Sequence, residues 1–296
     1  MKMDPFIEAE EAAGHSVKHC CDLFEVSKSA YYQRRRNLPS AKEVSDAELT
    51  EKITAIHTES KGTYGSPRVH HELAKRGVEC GRRRVLRLMR RAGLEGRHKK
   101  RWRTTTVVDP DAEAAKDLIQ RHFGPCEELD RRYVGDITYI STWEGWAYLA
   151  TVIDLASRRV VGWALADHMR TELVQDALAM AFVQRAPGTG VIFHSDRGCQ
   201  YTSGDFAQLA RANGVVLSVG RTGECWDNAV AESFFATIKR ELIETQAWPT
   251  RAGLRRAVFD YIESWYNTRR LHSSLGYCSP AEYENLIDRN ADRQAA

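Results

Sequence analysis

The sequence predicts an α/β domain built on a mixed five-stranded sheet with helices on both faces, preceded by all-α segments of helix-turn-helix type. Two observations carry this reading. Up to Gly124 the apolar residues recur at the three- and four-residue spacing of helices. Beyond it come runs rich in Val, Ile, Tyr and Trp, divided by short turns. Three such runs are followed by alternating helix and strand patterns, giving the order βββαβαβα, in which helices can cover both faces of a sheet. The 296 residues suit about two domains at roughly 150 residues each.

The elements follow in order. Residues 17–32 read as a short amphipathic stretch, a break at 24–26, and Ser27 as the N-cap of a second short helix running into Arg34, Arg35 and Arg36. Residues 1–40 thus form a first helix-turn-helix-like segment. After Pro39 and Ser40, residues 41–103 form a second. A helix over 46–58 carries Leu49, Ile53 and Ile56 on one side, and two more follow at 67–75 and 82–92, separated by Gly77 and Gly81. In the last, Val85, Leu88 and Met89 form the apolar stripe, while Arg83, Arg87, Arg90 and Arg91 gather on another face, where a recognition helix would meet DNA phosphates. Residues 104–125 read as a linker with an embedded short helix. Strands are expected at 133–140, 145–153, 159–166, 190–195 and 215–219, and helices at 172–183, 203–212, 228–243, 254–266 and 280–287. They make up a core spanning 126–289, followed by a frayed tail at 290–296.

Charge is divided unevenly. Residues 1–108 hold 23 Lys and Arg against 14 Asp and Glu, leaving 20 against 26 for the remainder. A basic front joined to an acidic back suggests a polyanion-binding part coupled to a part that needs carboxylates. The seven cysteines form no disulfide framework and no paired CxxC spacing. His15 and His19 have a zinc-like interval, but the adjacent thiols of Cys20 and Cys21 do not close a tetrahedral site. With no apolar run long enough to span a bilayer and no signal-peptide pattern at the N-terminus, the expected location is cytoplasmic, with no membrane partner.

Three acids stand in apolar settings. Asp136 lies inside a strand in VGDITYI, Asp196 ends a buried-type strand in IFHSDRG, and Glu232 sits on a helix beside Phe234, Phe235 and Ile238. Carboxylate oxygens without thiolate or clustered imidazole suit Mg²⁺ or Mn²⁺, and a pair of such ions would serve in-line displacement at a phosphodiester. Spacing alone does not choose between Glu232 and its rivals Glu224, Asp227 and Glu241, although Asp227 is better explained as a helix N-cap. Asn228, Phe235 and Lys239 share the helix face of Glu232, so Lys239 could hold a DNA phosphate near it. His194 points to the same side of its strand as Asp196, which permits either a supporting role at the site or a structural hydrogen bond. Asp154 reads as a turn or cap residue. Trp143, Trp146 and Trp163 read as core or sheet-edge packing.

These residues lie in GDITYI, YLATVIDLASRRVVGWAL, FHSDRGCQYTS and GECWDNAVAESFFATIKREL, which closely resemble the integrase-like core of bacterial insertion-sequence transposases. The resemblance continues in YIESWYNTRRLHSSLGYCSPAEY, and in HTESKGTYGSPRVHHELAKRG it matches the helix-turn-helix segment of the second open reading frame product. It covers about residues 17–287. It implies a DDE recombinase with an RNase H-like catalytic domain related in fold to retroviral integrase, in which Asp136, Asp196 and Glu232 hold two Mg²⁺ ions when DNA is bound, with Mn²⁺ as a substitute. The 35 residues between Asp196 and Glu232 are the family's interval, and Lys239 matches a basic position associated with the element's end. The implied reaction is cleavage of the element's 3′ end and strand transfer by the freed hydroxyl. The implied partners are double-stranded DNA, a first-frame product carrying a further helix-turn-helix and a zipper, and further copies of the chain. This chain has no heptad zipper, so alone it is expected either to bind the terminal repeats weakly or to fail to assemble the end-to-end complex. Two alternatives retain part of the reading: an RNase H-like nuclease without strand transfer, and a DNA-binding regulator without activity.

Overall fold

The computed structural model describes residues 3–36, 39–97, 128–219 and 229–295. The chain divides into two compact units, Met1–Gly96 and Arg97–Ala296. The first unit takes in residues 3–36 of the first expected helical segment and, of the second (41–103), the part up to Gly96. The expected linker at 104–125 lies outside the described residues.

The first unit begins with α1 (Asp4–Ala12), α2 (Val17–Leu23) and α3 (Lys28–Arg35). Ser27 caps α3, its Oγ accepting from Ala30 N at 3.4 Å. Ile7, Val17, Cys20, Cys21 and Tyr31 close a small core. The helix α1 was not expected, and its acidic residues hold the basic end of α3: Arg34 donates to both oxygens of Asp4, and Arg35 donates to Glu11. Next come α4 (Ala41–Glu59), α5 (Ser66–Lys75) and α6 (Arg82–Arg91), which pack on one another through Leu49, Ile53, Ile56, Val69, Leu73, Val85, Leu88 and Met89. α4 starts five residues before the expected position. Ser40 and Glu43 form a capping box, each accepting from the other's backbone N–H, and this satisfies the helix start.

The second unit carries β1 (Arg132–Thr142), β2 (Gly145–Asp154), β3 (Val160–Ala166), β4 (Ile192–Ser195) and β5 (Val216–Val219), in the spatial order β3-β2-β1-β4-β5. The first three strands form an antiparallel meander, while β4 and β5 add in parallel. Connecting them are α7 (Thr171–Arg185) and α8 (Gly204–Ala212), whose Leu173, Val174, Ala177, Ala181, Phe206 and Ala210 pack on Tyr133, Ala150, Val152, Val161 and Phe193. Gly162 permits the close approach of α7, because a Cβ there would stand 2.1 Å from the carbonyl oxygen of Ala177. Val134, Leu149 and Ile153, which alternation points to the opposite face, are buried as well, so the sheet is covered on both sides.

After the sheet come α9 (Ala229–Glu241) and α10 (Arg251–Phe259), the latter continuing as a π-helical stretch over Asp260–Tyr266. The last helix, α11 (Pro280–Ala295), runs through the residues expected to fray. Its Glu284 is buried and tied down, accepting from Ser157 Oγ at 2.9 Å, Arg159 at 2.6 Å and Arg185 at 3.2 Å.

Candidate active site

The sheet itself brings two of the acids together. In the parallel register of β1 and β4, Val134 is opposite His194, so Asp136 and Asp196 each lie two residues beyond a matched pair. Asp136 thus lies within β1 and Asp196 one residue past the end of β4, on neighbouring strands that run about 4.8 Å apart. Gly135 makes the closeness possible: a Cβ there would meet the Phe193 ring at 2.2 Å. Beyond Ser195 the chain turns, with Asp196 Oδ1 accepting from Gly198 N at 3.0 Å, and Asp196 is left exposed.

Glu232 arrives from the first turn of α9. Ala231, Phe234, Phe235 and Ile238 of this helix are buried, and the helix packs against β1 and β2, leaving Glu232 on the open side. The pairing of β4 with β1 covers only Arg132–Val134. From Gly135 onward that edge of β1 has no strand beside it among the described residues.

The fields of the three acids meet at Asp136. Burial pushes its carboxyl up to about 7, the Asp196 charge pushes the same way, and Glu232 adds to both. The Ile137 N–H, donating to Oδ1 at 2.7 Å, and the Lys239 ammonium oppose the rise. Loss of solvent also raises Glu232. Tyr201, buried beside them, is held well above the usual phenol range by burial and by the charges of Asp136 and Asp196. Carboxylates without thiolate or imidazole make a donor set for a hard cation, and this crowding of negative charge is what such a cation relieves. Among the described residues, however, no group of three or more acidic, His or Cys side chains is drawn close enough to grip an ion. The three acids interact through space without converging on one point.

Lys239 lies two turns along α9 from Glu232, and its Nζ sits 5.4 Å from the centre of the Tyr139 ring. Asn228, Glu224 and Asp227 lie outside the described residues. The rival Glu241 is committed elsewhere: buried, it accepts from Arg270 through both oxygens and from Tyr261 Oη at 2.9 Å. His194 is buried with Nδ1 2.9 Å from Ser218 Oγ on the adjacent strand. Asp154 serves its turn, accepting from Ser157 N at 2.9 Å. Of the three tryptophans, Trp163 is buried and donates to Glu263, whereas Trp143 and Trp146 are exposed, contrary to the packing role expected of them.

The arginines of α6 divide into two sets. Arg87 donates to Asp46 Oδ2 and Arg84 to Asp46 Oδ1, both at 2.8 Å, and together they hold the buried Asp46 carboxyl below the usual carboxylate range. Arg87, expected among the phosphate ligands, is thus already engaged by a carboxylate of its own unit. It is a strut between α4 and α6. Arg83, Arg90 and Arg91 are exposed, and no ion pair is formed by Arg83 or Arg90 among the described residues. Arg83 joins Lys42, Ser45, Arg84 and Arg87 around an open cleft. No local pattern marks Asp46 as the acid that organises these cations.

An integrase core domain model matches residues 127–225, a second integrase core domain model matches 213–280, and an HTH-like domain model matches 44–102. The chain is 38% identical over 277 residues to a putative transposase for insertion sequence element IS986/IS6110 of Mycobacterium tuberculosis, covering 92% of this chain and 99% of that one. It belongs to the insertion-sequence transposase family. A second member, transposase InsF for insertion sequence IS3A of Escherichia coli, is 37% identical over 286 residues, covering 95% of this chain and 97% of that one. Among solved structures, the catalytic core domain of BIV integrase superposes with a TM-score of 0.40 at 18% identity, covering 55% of this chain and 98% of that one. Both integrase core domain matches fall within the second unit. Among the described residues, no helix is long and apolar enough to cross a membrane.

Proposed function

We propose that this chain is a DNA transposase subunit that cleaves the 3′ end of an insertion element and joins the freed hydroxyl to target DNA, with Asp136, Asp196 and Glu232 as its metal-holding acids. The observation that carries the reading is the β1/β4 register, which sets Asp136 beside Asp196 while α9 brings the charge of Glu232 to bear on the same carboxyl. Mg²⁺, or Mn²⁺ in its place, held as a pair by these acids with DNA bound, would supply the Lewis acidity that activates the attacking oxygen and stabilises the departing one. The chain's own groups prepare for this. Asp136 keeps a proton near neutrality while the crowded charge is uncompensated, and releases it when a cation takes over the role. Lys239 places a fixed positive charge between α9 and β1, where a phosphate beside the carboxylates would be held. Arg83, Arg90 and Arg91 on α6 would contact backbone phosphates of duplex DNA. A first-frame product and further copies of the chain would complete the assembly on the two element ends.

Asp136→Asn tests the reading on end-labelled element DNA in Mg²⁺, with and without the first-frame product. The variant should lose cleavage and keep DNA binding, and in the parent chain millimolar Mg²⁺ or Mn²⁺ should raise the melting temperature. Cleavage without joining to target DNA would make the chain a nuclease. An Asp136→Asn variant indistinguishable from the parent in every activity would make it a regulator.

A further inference from the structure

The hairpin joining β1 to β2 carries rings that the core does not use. Tyr139 is 61% exposed, Trp146 51% and Trp143 77%. Trp146 pairs with Ser141, two residues on from Tyr139, so the rings of Tyr139 and Trp146 share one face of the sheet. Their centroids lie 5.2 Å apart at an interplanar angle of 89°. The backbone beneath is pinned. Thr142 Oγ1 donates to Gly145 O at 2.6 Å, Trp143 N to Trp248 O at 3.0 Å, and Arg251 to both Glu144 and Trp146 O. Exposed rings on a fixed hairpin lose little freedom when something docks on them.

Over this pair stands a cation. Lys239 Nζ is 5.4 Å from the Tyr139 ring centre, and its charge also reaches Asp136. Rings that stack bases beside a cation that tracks the backbone are what single-stranded nucleic acid requires. The centre of a protein–protein contact, by contrast, is depleted in lysine. Tyr139 lies three residues along β1 from Asp136, about 10 Å at the strand rise and on the other face by alternation, and Lys239 links the two across the edge of β1 that β4 leaves uncovered.

We propose that Tyr139 and Trp146 form a stacking platform for a base unpaired at the end of the DNA strand next to the carboxylates, with Lys239 on its phosphate. The platform rests on the transposase reading and adds to it a preference for frayed or single-stranded ends. It is tested on the full-length chain without metal, by anisotropy of a labelled oligo-deoxythymidylate of about 12 nucleotides, with a fully paired duplex as control. Trp146→Ala and Tyr139→Ala should each weaken oligonucleotide binding by about 5- to 150-fold, the range for losing one base stack, and leave duplex affinity unchanged. Tyr139→Phe, which keeps the ring, should bind as the parent does. Oligonucleotide-induced quenching of tryptophan emission should diminish in Trp146→Phe, a readout that survives if an alanine variant fails to fold. Unchanged oligonucleotide affinity in folded alanine variants would overturn the platform. So would a change confined to assembly size in sedimentation, which would make the rings a contact between chains. Ring-dependent oligonucleotide binding in a chain that cleaves no element end would leave the platform standing and remove the transposase reading.

Discussion

Gly135→Ala should force β1 away from β4. The added methyl would stand 2.2 Å from the Phe193 ring, well inside an ordinary carbon contact of about 3.5–4 Å, so ring or strand must retreat by more than about 1 Å. The ring has little room to move. It is buried, with Tyr201 at 5.9 Å and Phe206 at 5.4 Å between centroids. The displacement therefore passes into the spacing of β1 and β4, and overpacking of this kind costs about 1–3 kcal/mol. The same displacement separates Asp136 from Asp196, and a misplacement near 1 Å can lower a reaction rate by about a hundredfold. Phe193→Leu removes the atom that clashes, so the double variant should regain part of both losses, with a coupling of about 1 kcal/mol or more opposing simple addition. Thermal unfolding and cleavage of end-labelled element DNA measure the two quantities on all four proteins of the cycle. Gly135→Ala unfolding and cleaving like the parent, or losses that merely add, would refute the argument that this glycine sets the acid pair.

Two other outcomes follow from charges away from the carboxylate site. Asp154 is fully buried, and burial pushes its carboxyl up to about 6, above an unfolded value near 4. An acid raised on folding opposes the folded state only once it must ionise, so the penalty is absent below about pH 4, grows to about pH 6 and is complete above. Asp154→Asn should therefore narrow the stability gap to the parent as pH rises from 4 to 7, and a gap independent of pH in unfolding titrations would exclude the effect. On α6, Arg83→Ala and Arg90→Ala should each reduce the salt slope of duplex binding by about one. Arg87→Ala should instead lower the melting temperature by stranding half of the Asp46 carboxylate, and a slope reduced by Arg87→Ala at unchanged melting temperature would reverse the assignment.

Local patterns in the sequence revealed the strands, the order of elements and the stripe of Val85, Leu88 and Met89, because alternation and helical period are properties of neighbouring residues. What the sequence withheld depends on partners distant in the chain. The period of α6 grouped Arg87 with Arg83, and only folding shows Asp46 of α4 claiming it. Glu241 remained a rival to Glu232 until Arg270 and Tyr261 appeared around it. The side-by-side placement of Asp136 and Asp196 required the strand order, which interval counting does not contain. Two further features are legible in neighbouring residues: Ser40 and Glu43 spell a capping box, and Trp143 stands at a hairpin turn, where its ring is left exposed. The start of the chain hid α1 because only Ile7 among its residues is buried.

The enclosed pair of Glu241 and Arg270, with Tyr261 completing it, clamps the far end of α9. Glu232 rides nine residues away on the same rod, about 13 Å at the helical rise. The aim of that acid is thus governed by a fulcrum in the C-terminal segment, and damage to Arg270 or Tyr261 would register as lost chemistry although both are buried away from the surface. A survey of impaired variants would then map a lever arm rather than a surface.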